Sequence, residues 1–247
     1  MHNTGVTSVS FRALSPEEIL QEMVGAGLKY IEWGSDIHAP YTDETRLDEI
    51  VKLMKKYDIT CSSYGTYFRL GITPMEELPG YLKAAKKLGT NIARIWAGKA
   101  RVEEQTPQWR QEMIELGRQA AKIAEEEGVI LCMECHPGTI TEKKEYALEM
   151  IEGVNSPNFR TYWQQNPGLS DEENVAYIRM LKPYIEHIHV FYLPNEEKRS
   201  VGEGIDSWKT FMKEFSQERT LLLEFMYDGR VESLPGEAKA LHQIVTG

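Results

Sequence analysis

Four apolar runs in the second half of the chain each end on a side chain that can hold a cation or carry a proton. "GVILCMECHPGTI", Gly128 to Ile140, carries Glu134 near the end of its apolar run and His136 two residues later. "NFRTYWQ" leads into Gln164, Gln165 and Asn166, "IEHIHVFY" contains His187 and His189, and "RTLLLEF" closes on Glu224 and Phe225. A carboxylate at the end of a buried strand is costly unless a countercharge meets it. Side chains alternate along a strand, so Cys132, Glu134 and His136 share one face, as do Tyr162 with Gln164, His187 with His189, and Leu222 with Glu224. If these runs are consecutive strands of one sheet, two carboxylates, an imidazole and an amide oxygen converge. That mixed oxygen and nitrogen set suits Mn²⁺, Mg²⁺, Co²⁺ or Zn²⁺. A divalent metal is thus the expected countercharge for Glu134.

Taken singly, each of these residues has a plainer reading. A glutamate at a strand end is commonly solvated or hydrogen-bonded, and a histidine in "EHIHVFY" is commonly a satisfied core residue. The joint occurrence on successive runs is what points to a metal. Cys132 and Cys135 have C-x-x-C spacing, yet residues three apart on an extended strand face opposite sides, so the two thiolates are not expected to converge.

The elements that must position these groups alternate regularly. Eight β-type runs are each followed by an amphipathic stretch, from "GVTSVSF" with "LSPEEILQEMVGAG" through "ITCSSY" with "MEELPGYLKAAKKLG" to "RTLLLEF" with "SLPGEAKALHQIV". Ser15 is a suitable N-cap with Pro16 at the first helical position, and Gly25 and Gly27 lie near the stop. Eight units of about 31 residues match right-handed βαβ crossovers. They predict an α/β fold, a (β/α)8 barrel forming a single domain over 1–247, with a doubly wound open sheet as the alternative. In such a barrel the chemistry gathers at the carboxyl ends of the strands, where all the residues named above fall.

Composition narrows the partners. The 247 residues include 38 acidic and 28 basic side chains, a formal net charge of -10, and no Lys/Arg cluster forms a phosphate-backbone track, so nucleic acid is not an expected partner. Neither a basic n-region with an apolar core near Met1 to Phe11 nor a run of roughly 18 apolar residues is present, so no membrane association is expected and the cytoplasm is the expected compartment. Three cysteines, an odd number, are expected to be reduced. Self-association into a homo-oligomer is compatible with all of this.

The ordered set "YIEWGSDIHAP", "LCMECHPGTITE", "YWQQNPG", "HIHVFY", "SVGEG" and "LLLEF" resembles the sugar phosphate isomerases/epimerases, the xylose isomerase-like TIM barrels, over nearly the whole chain. The resemblance implies a divalent metal held at the ends of strands five to eight, with Glu134, Gln164, His189 and Glu224 at the matching positions. It also implies that Glu134 and Glu224 work as an acid/base pair on opposite faces of a sugar. Departures are visible. The family's Asp-x-x-His appears as Gln164-Gln165-Asn166-Pro167, its His-x-x-Asp appears as His189-Val190-Phe191-Tyr192, and a substrate-contacting Glu gives way near Ile140.

The expected chemistry is therefore isomerisation or epimerisation of a small-molecule ketose, polyol ketone or sugar phosphate through an enediolate. The same site would also serve a metal-dependent dehydratase of the inosose type, and a sugar- or metal-binding barrel without turnover is a further alternative. AP-endonuclease-like multinuclear zinc chemistry needs more ligands than six histidines supply. Tyr64, Arg69, Trp96 and His136 are the preferred substrate contacts, with Trp33 and His38 as further candidates and His38 in "GSDIHAP", a loop that can serve as a lid or as no more than a Pro-terminated turn. Arg69, Arg94, Lys99 and Arg199 are candidates for holding a phosphate or carboxylate.

Overall fold

Local sequence sets each helix before packing does. In a computed structural model describing residues 2–246, the first helix, α1 (Pro16–Gly25), opens on a capping box. Ser15 Oγ accepts from the Glu18 amide, and the Glu18 carboxylate accepts from the Ser15 amide, so two otherwise orphaned donors are satisfied. Ser170 and Glu173 repeat the device at α6 (Asp171–Leu181), and Thr106 caps α4 (Pro107–Glu127) alone. Left-handed residues stop three helices: Asp58 after α2 (Glu44–Tyr57), Gly128 after α4 and Asn155 after α5 (Lys144–Val154). The remaining helices are α3 (Leu78–Lys87), α7 (Ile205–Met212) and α8 (Leu234–Thr246).

The strands are β1 (Asn3–Thr7), β2 (Tyr30–Gly34), β3 (Thr60–Leu70), β4 (Ile92–Ala97), β5 (Ile130–Met133), β6 (Phe159–Gln164), β7 (Ile185–Val190) and β8 (Thr220–Leu223). All pairings are parallel, and β1 closes on β8 to make the barrel the sequence predicted. Met1 and Gly247, which the single-domain expectation included, lie outside the described residues. Among the described residues no helix is long and apolar enough to cross a membrane.

β5 and β8 stop at Met133 and Leu223, so Glu134 and Glu224 follow their strands directly, and other boundaries also differ from the sequence reading. "GVTSVSF" is strand only to Thr7, because Ser8–Phe11 winds into a 3-10 turn in which Ser8 Oγ accepts from the Gly34 amide. β3 continues past Tyr64 to Leu70, its far end paired with β4 at Arg69 and Trp96. A register shift between Ile31 and Glu32 and another between Gly65 and Arg69 accompany this long strand.

The apolar core lies between sheet and helices. Trp33 donates its indole N–H to the sulfur of Met54 on α2, and Trp163 packs edge-on against Trp208 and Phe211 of α7. The interior of the barrel is the opposite in character. Glu32, Ser63, Arg94, Tyr162, His187 and His189 are all buried there among one another. Buried charges persist only when paired, so this interior is itself an assembled polar network.

Candidate functional site

At the carboxyl end of the barrel, β5, β7 and β8 deliver Glu134, His189 and Glu224 to one point. One ligand atom from each lies within 4.8 Å of the others, and all three residues are buried. His189 Nδ1 is 3.6 Å from a Glu134 oxygen and 3.3 Å from a Glu224 oxygen, while Nε2 is 3.5 Å from Glu32. Neither ring nitrogen has a hydrogen-bond partner, and neither does the buried Oε1 of Gln164, which is in register with His189 across β6 and β7. Buried polar atoms are seldom left unpaired. The unpaired His189 Nδ1 and Gln164 Oε1 beside two carboxylates fit a cation held by Glu134, Gln164, His189 and Glu224.

The countercharge of Glu134 differs from expectation. The sequence reading assigned it to a metal; the structure places Arg94 against it first. The Arg94 guanidinium donates Nε–H to Glu32 Oε1 at 2.8 Å and Nη1–H to Glu134 Oε2, and Trp96 Nε1–H donates to that same Glu134 oxygen. Arg94, considered beforehand only as an anion holder for substrate, is 2% exposed and shared between two buried carboxylates. Burial by itself raises a carboxyl pKa; the Arg94 charge outweighs it and holds both Glu32 and Glu134 well below the usual range. The imidazole of His189 is pushed the other way: burial lowers it, and the surrounding carboxylates, Glu224 first, raise it above its ordinary value.

These charges leave an imbalance. Glu32, Glu134 and Glu224 are three buried carboxylates facing one guanidinium, so two negative charges remain uncompensated by fixed cations when His189 is neutral. A dication matches that remainder, and Lewis-acid chemistry at a neighbouring substrate oxygen is what it would supply.

The floor of metal-type donors opens into a cavity of about 390 Å³. Of the predicted residues, Glu134, Gln164, Glu224, His136, Trp96 and Arg199 line it, and His189 lies at its base. Three others are placed elsewhere. Tyr64 is wholly buried with its hydroxyl donated to the Ala39 carbonyl, Trp33 faces α2, and His38 is bound between Ser8 Oγ and the Leu14 carbonyl. Each sits on the outer face of the sheet or beneath a loop, because strand alternation that turns Glu32 and Ser63 inward turns Trp33 and Tyr64 outward. Arg69 stands behind the wall: its guanidinium stacks 4.4 Å over the Trp96 ring and donates to the Gly98 carbonyl. Arg199 is paired with Glu197.

Sequence reasoning did not assign Glu32, Arg12, Phe191, Lys198 or Phe225. Glu32 carried the same signal as Glu134, a carboxylate inside the apolar run "YIEW". Arg12, Lys198 and Phe225 come from separate loops that only the closed barrel brings to one rim. Cys132 and Cys135 are free and buried, and Cys135 Sγ is 3.3 Å from Asn166 Oδ1.

Comparison with known proteins agrees with this fold. The sequence profile of the family described as xylose isomerase-like TIM barrel matches residues 20–243. A 3-dehydroshikimate dehydratase of Bacillus anthracis is 24% identical over 197 residues, covering 74% of this chain and 69% of that protein. Two solved structures share the fold: a probable 3-DHS dehydratase involved in petrobactin synthesis from the same organism, at TM-score 0.79 and 20% identity with 98% of this chain and 99% of that one covered, and D-psicose 3-epimerase of Clostridium cellulolyticum H10 with D-tagatose, at TM-score 0.71 and 14% identity with 97% of each covered. With a barrel closed in the predicted order and a profile matched over nearly all of it, this chain belongs to the xylose isomerase-like TIM barrels.

Proposed function

We propose that the protein is a divalent-metal-dependent enzyme of the isomerase or epimerase class that moves a proton beside the carbonyl of a small hydroxylated ketone. The observation that carries this reading is the meeting of three buried carboxylates with one guanidinium around His189 and Gln164 atoms that lack hydrogen-bond partners, at the base of a cavity of small-molecule size. When bound, the metal supplies electrophilic polarisation of the ketone oxygen. The protein supplies the rest. Glu224 lines the cavity and takes the proton from the carbon next to the carbonyl, leaving an enediolate. Glu134 is less suited to be the first base, because Arg94 and Trp96 occupy one of its oxygens and keep it ionised. Its second oxygen faces His189 and would return a proton from the other side after taking one up from solvent, while Glu224 gives its proton back to solvent. Return to the same carbon inverts it, and return to the neighbouring carbon exchanges aldose and ketose.

A second reading, dehydration, is supported by that same inequality of the two glutamates. Elimination needs one base rather than two matched ones: Glu224 removes the α-proton, the C–O bond of a β-hydroxyl breaks, and the departing oxygen leaves as water. His136, whose Nδ1–H is bound by the Pro137 carbonyl and whose Nε2 is left for the cavity it lines, would donate that proton from Nε2 as the imidazolium. The cavity walls are also largely apolar, with Val9, Pro137, Phe191, Leu193, Phe225 and Met226, which favours a ring over an open polyol. The dehydratase among the relatives is consistent with it.

The test is a screen of ketoses, inososes and cyclic hydroxy ketones with Mn²⁺ in D₂O. Substrate or product should take up deuterium at carbon, and Glu224→Gln should suppress that uptake by at least about 100-fold. Uptake at the parent rate in Glu224→Gln with metal bound would remove Glu224 from the reaction.

A further inference from the structure

Glu32 is not among the residues lining the site cavity, yet it is the carboxylate on the far side of the metal-site imidazole. Its Oε1 is 3.5 Å from His189 Nε2, whereas Nδ1 looks toward Glu134 and Glu224 at 3.6 and 3.3 Å. Among the described residues neither nitrogen has a hydrogen-bond partner. Glu32 itself cannot turn away. Arg94 Nε–H binds its Oε1 at 2.8 Å and Ser63 Oγ–H binds its Oε2 at 2.9 Å, all in a wholly buried setting. Gly65 makes the space: a Cβ there would lie 2.7 Å from Arg94 Nη2 and 2.8 Å from Glu32 Oε1. The Tyr162 ring meets the imidazole edge-on at 5.2 Å and limits its tilt.

A neutral imidazole has one N–H and one lone pair, and the partner of the first decides where the second points. The geometry points to Glu32 as a positioning residue that keeps the His189 proton on Nε2 and presents the Nδ1 lone pair to the gap between Glu134 and Glu224. Arg94 then has two tasks with one guanidinium. It fixes the acceptor behind the histidine and holds the first metal-side carboxylate, Glu134, so the ring and the carboxylate are set relative to each other by a single rigid fork. This inference rests on the metal reading proposed above and adds an outer shell to it.

The experiment uses the full chain, stripped with chelator and titrated with Mn²⁺ by calorimetry, and separately loaded with Zn²⁺ for ¹H–¹⁵N spectra of the histidine rings. In the Zn²⁺-loaded parent, the His189 proton is expected on Nε2 and the metal on Nδ1. Glu32→Gln and Glu32→Leu are each expected to weaken Mn²⁺ binding by about 10- to 100-fold, and Ser63→Ala by less, with far-UV circular dichroism unchanged. Should the Leu variant fail to fold, the isosteric Gln variant and the parent spectrum still decide. Zinc on Nε2 in the parent, or parent-like Mn²⁺ affinity in folded Glu32→Gln, overturns the assignment while leaving the metal reading intact. A parent that takes up neither ion overturns both.

Discussion

Arg94→Met isolates the interaction on which the whole barrel interior depends. The side chain is 3% exposed and pairs with Glu32 and Glu134, whose side chains are 1% and 4% exposed. Removing the guanidinium strands two buried carboxylates, and breaking one side of a buried ion pair in this way costs about 3–5 kcal/mol. For a chain of this length each kcal/mol lowers Tm by roughly 2–4 °C, so a fall of about 6–20 °C is expected. The assay is urea and thermal unfolding of chelator-treated protein, followed by near-UV circular dichroism. Arg94→Lys should lose less, since charge remains but one ammonium cannot fork to both carboxylates. The Arg94→Met, Glu32→Gln double variant should recover part of the loss, because one stranded charge goes with its partner. Mn²⁺ should narrow the deficit of Arg94→Met, because a more negative site binds a dication more tightly and bound ligand stabilises the folded state. A loss below about 1 kcal/mol in the metal-free single variant would refute the reasoning, since it would mean the carboxylates are solvated or protonated rather than held as anions by Arg94.

Gln164→Asp should tighten Mn²⁺ binding by about tenfold, about 1.4 kcal/mol, and Gln164→Leu should weaken it; calorimetry showing both unchanged would exclude Gln164 as a ligand. Gly65→Ala should lower stability by about 1–3 kcal/mol and weaken Mn²⁺ binding with it, because its new methyl falls on the Arg94 and Glu32 termini; urea midpoints equal to the parent would mean those termini move freely. His38 supplies a pH test. Burial holds its pKa below the ordinary 6.5, so the unfolded chain binds the proton first as pH falls. Its contribution is complete above that value and is lost as pH drops through the lower folded value, with a slope of at most about 1.4 kcal/mol per pH unit. His38→Gln should flatten the stability curve between pH 6.5 and the acid side, and an unchanged curve would assign that slope to other buried histidines such as His187.

The sequence alone determined the elements and their order, since these rest on neighbours in the chain. Ser15 with Glu18, Ser170 with Glu173, the glycine after α4 and the apolar alternation of the strands are all local, and eight repeats of one unit leave few ways to close. The ends of β5 to β8 were legible for a related reason: once strand order is known, alternation fixes which of Glu134, Gln164, His189 and Glu224 face inward. Tertiary structure decided what those residues meet. Glu32, Arg94 and Glu134 are separated by 62 and 40 residues, and no periodicity relates a charge on β2 to one on β4 and another just past β5. The register shifts along β3 set which of its residues face the interior, which is why Tyr64 went to the helix side and Ser63 and Gly65 to the charge network. The rim is assembled from Tyr67 on β3 and from Arg12, Lys198 and Phe225 on three separate loops, which meet only when β8 pairs with β1. Local propensity chooses helices and strands because it acts over a few residues, whereas electrostatic partnership and cavity shape depend on distances that exist only once the barrel is closed.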